Sequence, residues 1–206
     1  MNRKAIAGLY VITPDWDDTA RLLGAVAAAL AGGARVLQYR NKHGDRQRRL
    51  EQALGLSALA NKAGATFIIN DDVELALEVD ADGVHLGETD GDIARARKRL
   101  GARKLIGASC YNRLELAGPA LAAGADHIAF GSVFASATKP SARRAALDLF
   151  AQARPLNVPL VAIGGITTTN AGQVIAAGAA AVAVISDLFE ASDVAAQAHR
   201  FADLFV

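Results

Sequence analysis

Short apolar runs recur along the whole chain at nearly even spacing, each followed by a mixed or charged stretch of helical periodicity. The runs are Gly8–Thr13, Arg35–Arg40, Thr66–Ile69, Gly83–Leu86, Lys104–Ser109, Asp126–Gly131, "VPLVAIGG" (158–165) and "AAVAVIS" (180–186). Runs this short and continuously apolar suit parallel strands covered on both faces. Helices are expected from Asp17 or Asp18 to about Ala31 and from about Asp45 to Ala63, with a short one between the third and fourth strands. Further helices are expected over Asp90–Leu100, Asn112–Ala123 and Ala145–Ala153, from Thr169 or Asn170 to about Ala177, and over Asp187–Phe205. Asp or Asn stands at several of these starts, ready to cap. Eight strand–helix units predict an α/β fold of the (β/α)8 TIM-barrel type. A doubly wound sheet shares the period. The uniform repeat, and the lack of a G-x-G-x-x-G after the first strand, favour the barrel.

Composition narrows the partners. In 206 residues, Lys+Arg number 22 and Asp+Glu 21, so no basic excess points to nucleic acid. No apolar run nears the roughly 20 residues of a membrane span. The opening "MNRKAIAGLYVIT" reads as a short charged lead into a strand rather than a signal peptide. One cysteine, Cys110, forms no internal disulfide and is expected to be a small buried hydrophobe, which makes the cytoplasm the default location. No linker or low-complexity stretch divides the chain, and one domain over 1–206 is expected.

In a barrel the C-terminal strand ends carry chemistry. Both the third and fourth strands run into acids there: Asn70-Asp71-Asp72 and Glu88-Thr89-Asp90. Carboxylates on neighbouring strands suit a hard cation such as Mg²⁺, and Asp71 with Asp90 is the expected pair. Helix capping competes at each of these acids and at Asp92. The second strand ends Gln38-Tyr39-Arg40-Asn41-Lys42; alternation sets Gln38, Arg40 and Lys42 on one side, Tyr39 and Asn41 on the other. Polar groups at an inner strand end suit a polar heterocycle and an anion, or else a solvated terminus with Arg40 held by a neighbouring carboxylate. Ser109 reads equally as a ligand hydroxyl or a helix cap. His85 reads as a satisfied core histidine, and His43, His127 and His199 show no triad context.

The loop after the sixth strand is the longest and carries Ser136-Ala137-Thr138-Lys139, which suits phosphate binding and closure, or an ordinary polar loop. Nothing selects Arg143 or Arg144 for a role. Gly164-Gly165 after the seventh strand and Ile185-Ser186 after the eighth stand where barrels of this kind hold phosphate; a tight structural turn is the competing reading for the glycines.

Taken in order, "GLYVIT", "QYRNK", "INDD", "ADGVHLGETD", "IGAS", "GADHIAFGSVFASATK", "AIGGIT" and "AVAVIS" make the chain resemble the thiamine-phosphate synthase family over essentially its full length. The resemblance implies a Mg²⁺-dependent barrel that joins 4-amino-2-methyl-5-hydroxymethylpyrimidine diphosphate to 4-methyl-5-(2-phosphooxyethyl)thiazole, giving thiamine phosphate and pyrophosphate. It implies pyrimidine-diphosphate contacts from Gln38, Arg40, Lys42, Asn70, Ser109 and Lys139, with Arg40, Lys42 and Lys139 catalytic. Asp71 and Asp90 match its metal ligands. Ser136, Ala137, Thr138, Gly165, Ile185 and Ser186 match its thiazole-phosphate cradle. The chain departs at Asn41, where the family usually has an acid, at Ser136 for threonine, and in "KPSARRA" after Lys139. The partners implied are the two small substrates, with a homo-oligomer left open.

An electron-rich aminopyrimidine stabilises positive charge on its exocyclic methylene, so the expected reaction is a dissociative substitution. Its needs are neutralisation of the leaving pyrophosphate and positioning of the nucleophile. A thiazole tautomerase-like isomerase, another phosphate-sugar barrel and a non-catalytic phosphate-binding barrel are the rival readings.

Overall fold

The computed structural model describes residues 4–88, 91–135 and 144–206. Eight strands, β1 (Gly8–Ile12), β2 (Val36–Tyr39), β3 (Thr66–Asn70), β4 (Gly83–Leu86), β5 (Leu105–Tyr111), β6 (His127–Gly131), β7 (Leu160–Ile163) and β8 (Ala181–Val184), close into one barrel. Every pairing is parallel, and β8 returns to β1 with Tyr10 opposite Ala183. Around it run α1 (Thr19–Ala31), α2 (Arg46–Ala63), α3 (Val73–Glu78), α4 (Ile93–Leu100), α5 (Ala117–Ala122), α6 (Asp148–Ala153), α7 (Ala171–Ala177), α8 (Ser186–Phe189) and α9 (Val194–Ala202). The expected (β/α)8 barrel is the observed architecture.

Alternation along the strands divides the apolar residues into two sets. Tyr10, Ile12, Val36, Ile68, Leu105, Ala129, Val161, Ala181 and Ala183 cluster inside the barrel. The intervening Leu9, Val11, Leu37, Phe67, Ile69, Val84, Ile106, Ile128, Phe130 and Val182 join the larger layer under the helices. That explains the continuous apolar runs: both faces are buried. It also fixes which strand-end residues face inward, since a one-residue slip would exchange the two sets.

The helices start where short acids cap them. Asp18, Asp45, Asp72, Asp92 and Asp193 each accept an N–H from the first turn. Two of these, Asp72 and Asp92, belong to the acid-rich strand ends; capping accounts for them. Three boundary differences from the sequence expectation stand out. The closing helix expected over Asp187–Phe205 is two helices, because Asp193 caps a second start at Val194. The α4 helix begins at Ile93 rather than Asp90, again at its capping acid. The stretch after β5 opens with a 3-10 turn, Leu114–Leu116, before α5. Among the described residues no helix is long and apolar enough to cross a membrane.

Candidate active site

The top of β2 follows the alternation. Tyr39 and Asn41 point outward, where the Tyr39 hydroxyl donates to Gln52 Oε1 at 2.8 Å and Asn41 Nδ2 donates to the same oxygen at 3.1 Å. Gln52 is itself fully buried on α2. This knot ties the outer face of the strand to its helix and leaves the other face for the site. Gln38 faces inward and is buried, and its Oε1 has no hydrogen-bond partner among the described residues. An orphaned acceptor at the top of a barrel is costly unless a ligand donates to it.

Arg40 and Lys42 are held from β1. Thr13 Oγ1 donates to the Arg40 carbonyl at 2.9 Å and accepts the Arg40 N–H at 2.8 Å. Asp15, in the loop after β1, takes Arg40 Nη1 at 2.6 Å on one oxygen and the Lys42 N–H at 3.0 Å on the other. The sequence leaves a carboxylate partner for Arg40 open; the structure identifies it as Asp15. The available signal was an acid in the first strand's loop, facing an Arg-x-Lys on the neighbouring strand.

At the top of β3, Asp71 stands in the left-handed region, at φ 64°, and its carboxylate lies 3.3 Å from Lys42 Nζ. For a residue other than glycine such backbone is strained by about 1–3 kcal/mol and gathers at functional sites. Asn70 turns inward beside it, at the end of the strand. Asp71, a half-buried carboxylate, has the hard oxygen donor chemistry a Mg²⁺ ion needs. The described residues contain no group of three or more His, Cys, Asp or Glu side chains placed to hold a metal. Asp90, the second expected ligand, lies outside the described residues, as do Ser136, Ala137, Thr138 and Lys139.

A row of inward side chains continues across β4, β5 and β6. His85 pairs in register with Gly107, and Gly107 with His127. The His85 Nε2 lies 2.9 Å from Ser109 Oγ, one inward position further up β5. Because β5 continues to Tyr111, Ser109 caps no helix, which removes one of its two sequence readings. His127 is fully buried, and burial pushes its pKa down to about 3, so it is neutral at ordinary pH. Cys110 faces the helix layer and is buried, its thiol pushed up to about 11 by desolvation, which leaves it inert.

On the opposite side of the mouth, Gly164 and Gly165 both have positive φ, 100° and 63°. A Cβ on Gly164 would overlap Ser132, and one on Gly165 would overlap the backbone of Phe134 and Ala135. The glycines therefore let the loop after β6 press against the end of β7, where the Phe134 N–H donates to the Gly164 carbonyl at 2.9 Å. Asn170 does not cap α7; its side chain ties the turn instead, to the Gly165 carbonyl and the Thr167 N–H, both at 2.9 Å. Ile185 and Ser186 follow β8 and open α8.

A cleft of about 990 Å³ opens at the rim, with Lys42, Asn70, Asp71 and Leu86 in its wall. It runs outward over α3 towards Arg49 and Arg95. It joins Lys42 to the strand-three acid; Gln38, Arg40, Ser109, Gly165, Ile185 and Ser186 lie outside its lining.

Comparison with known proteins identifies the family. The sequence model of the family described as Thiamine monophosphate synthase matches residues 9–188. A thiamine-phosphate synthase of Chromobacterium violaceum is 60% identical over 200 residues, covering 97% of each chain. One from Methylobacillus flagellatus is 56% identical, over 97% of this chain and 96% of its own. Among solved structures, a thiamine phosphate pyrophosphorylase from Pyrococcus furiosus superposes with a TM-score of 0.86 at 36% identity, over 97% of this chain and 95% of that one. With a matched family model spanning β1 to α8 and full-length relatives more than half identical, this chain belongs to the thiamine monophosphate synthase family.

Proposed function

We propose that this protein is the transferase of thiamine biosynthesis that condenses 4-amino-2-methyl-5-hydroxymethylpyrimidine diphosphate with 4-methyl-5-(2-phosphooxyethyl)thiazole, releasing pyrophosphate and thiamine phosphate. Relatives named for this activity, at 60% and 56% identity over nearly the whole chain, support it. The observation that carries it structurally is the meeting of Arg40, Lys42 and Asp71 at one edge, with the orphaned Gln38 acceptor beside them. An isomerase acting on the thiazole phosphate alone has no use for two cations and an acid placed there.

The roles proposed for the individual residues follow the family resemblance, which the placement of the described ones supports. Gln38 and Asn70 hold the aminopyrimidine by hydrogen bonds from the inner wall. Arg40 and Lys42 face the diphosphate, and the resemblance adds Lys139 to them. Their charges grow in value as the C–O bond breaks and negative charge collects on the leaving group. Ser109 meets the ring from β5. Gly165, Ile185 and Ser186 seat the thiazole phosphate across the mouth, with Ser136, Ala137 and Thr138 assigned to the same phosphate by the resemblance, so that the thiazole nitrogen faces the methylene carbon. Asp71 and Asp90 would hold Mg²⁺, whose bound charge further neutralises the diphosphate. The reaction needs positioning and charge more than a base, in keeping with the inert Cys110 and neutral His127. A buried, unpaired thiol suits a reducing, cytoplasmic setting.

The test is direct. The purified protein is mixed with both substrates and Mg²⁺, and pyrophosphate and thiamine phosphate are measured. Stoichiometric formation of both is expected; folded protein that yields neither would overturn the assignment.

A further inference from the structure

Ser109 carries one proton and two acceptor lone pairs. The His85 Nε2 lies 2.9 Å from its oxygen and fixes how they point. If Nε2 accepts, the proton is committed downward and the lone pairs face the mouth of the barrel. If Nε2 donates, Ser109 presents its proton to the mouth instead. The two arrangements differ in what a bound aminopyrimidine would meet.

The chemistry selects between them. As the diphosphate leaves, positive charge spreads from the methylene into the ring and onto the exocyclic amino group, whose N–H bonds become stronger donors. An acceptor facing that group stabilises the developing cation; a proton facing the ring opposes it. The surroundings hold the pair rigidly. His127 lies with its ring centroid 5.6 Å from that of His85 and stays uncharged, so no cation is set beneath a reaction that makes one. Gly107 stands between them on β5, where a Cβ would overlap both rings, so the close approach depends on glycine. Three neighbouring strands in register build this platform, and Ser109 is the next inward residue above it.

We propose that His85 is a positioning residue for the transfer reaction: through Nε2 it accepts the Ser109 hydroxyl proton in a hydrogen bond, and so presents the Ser109 oxygen as an acceptor to the substrate's amino group. This rests on the transferase reading above. No proton leaves either residue.

The experiment is a mutant cycle on the complete protein, reading kcat and the KM of each substrate. Ser109→Ala is expected to lower kcat by about tenfold or more, the range for a hydrogen bond to a charged group. His85→Asn, whose amide stops short of Ser109, is expected to lower kcat to a similar degree, with the KM for thiazole phosphate unchanged. His85→Gln, whose amide oxygen reaches further, is expected to recover most of the loss. In the Ser109→Ala background, His85→Asn should cost less than about twofold more, because the partner is already gone. Fully additive losses, or Gln no better than Asn in proteins of equal melting temperature, would overturn the proposal. Unchanged kcat in Ser109→Ala would overturn it together with the role of Ser109. Absence of turnover in the parent protein would instead sink the transferase reading itself.

Discussion

Asp15 grips Arg40: its Oδ2 lies 2.6 Å from Nη1, while its other oxygen accepts the Lys42 N–H at 3.0 Å. One carboxylate from a neighbouring strand's loop thus fixes the Arg40 guanidinium and the Lys42 backbone, the two residues proposed to face the diphosphate. A long arginine loses much rotamer freedom when fixed, and the ion pair meets that cost before substrate arrives.

Asp15→Ala is therefore expected to weaken the diphosphate site without disturbing the fold. A hydrogen bond to a charged group contributes about 1.5–3 kcal/mol, so kcat/KM for the pyrimidine diphosphate should fall roughly ten- to a hundredfold. The KM for thiazole phosphate should stay within about twofold, since that site lies across the mouth. Steady-state kinetics with each substrate varied in turn decides this; equal effects on both would point to general loosening of the rim.

Asp71→Asn isolates the proposed metal role. Asparagine tolerates the left-handed backbone found at φ 64°, so the turn is kept while the charge is removed. The Mg²⁺ concentration for half-maximal activity is expected to rise by about tenfold or more. A Mg²⁺ titration that overlays the parent's would remove Asp71 from the metal site.

How far these features could be read from sequence follows from their range. Strand alternation is local, so the inward placement of Gln38 and the outward turn of Tyr39 and Asn41 were legible before any coordinates, and so was the barrel itself. Capping is local too, and Asp72 and Asp92 separate from Asp71 once their helices are located. The Asp15–Arg40 pair joins residues 25 apart in sequence and depends on how two loops lean together. The His85–Ser109 bond depends on register between β4 and β5, which periodicity does not specify. His85 is buried, as a core histidine should be, but periodicity names no partner for it.

Gly164 tests whether the glycines at the end of β7 serve packing. At φ 100°, with a Cβ that would overlap Ser132, alanine there meets backbone strain and collision together. Gly164→Ala is expected to lower the melting temperature by several degrees, for a cost of about 1–3 kcal/mol. It should also raise the KM for thiazole phosphate more than that for the pyrimidine diphosphate, because the displaced loop borders that cradle. Thermal melting and paired KM measurements check both parts.

His127 gives the barrel a defined acid sensitivity. Its folded pKa is lowered to about 3 by burial, then by the neighbouring His85, against about 6.5 for an unperturbed histidine. Between those values the unfolded chain binds a proton that the folded one excludes, so this contribution to stability is complete above pH 6.5 and is lost as pH falls. The slope is about 1.4 kcal/mol per pH unit, or roughly 2 kcal/mol between pH 6.5 and pH 5. His127→Phe removes the titrating group while keeping a planar ring in the same space. Urea unfolding of parent and variant at pH 7.5 and pH 5 should show the parent losing about 2 kcal/mol more than the variant on acidification. The remaining histidines are common to both proteins, so their own titration largely cancels in that difference. Identical losses in the two proteins would mean that His127 meets a proton-accepting environment when folded, and that the neutral platform beneath Ser109 does not exist.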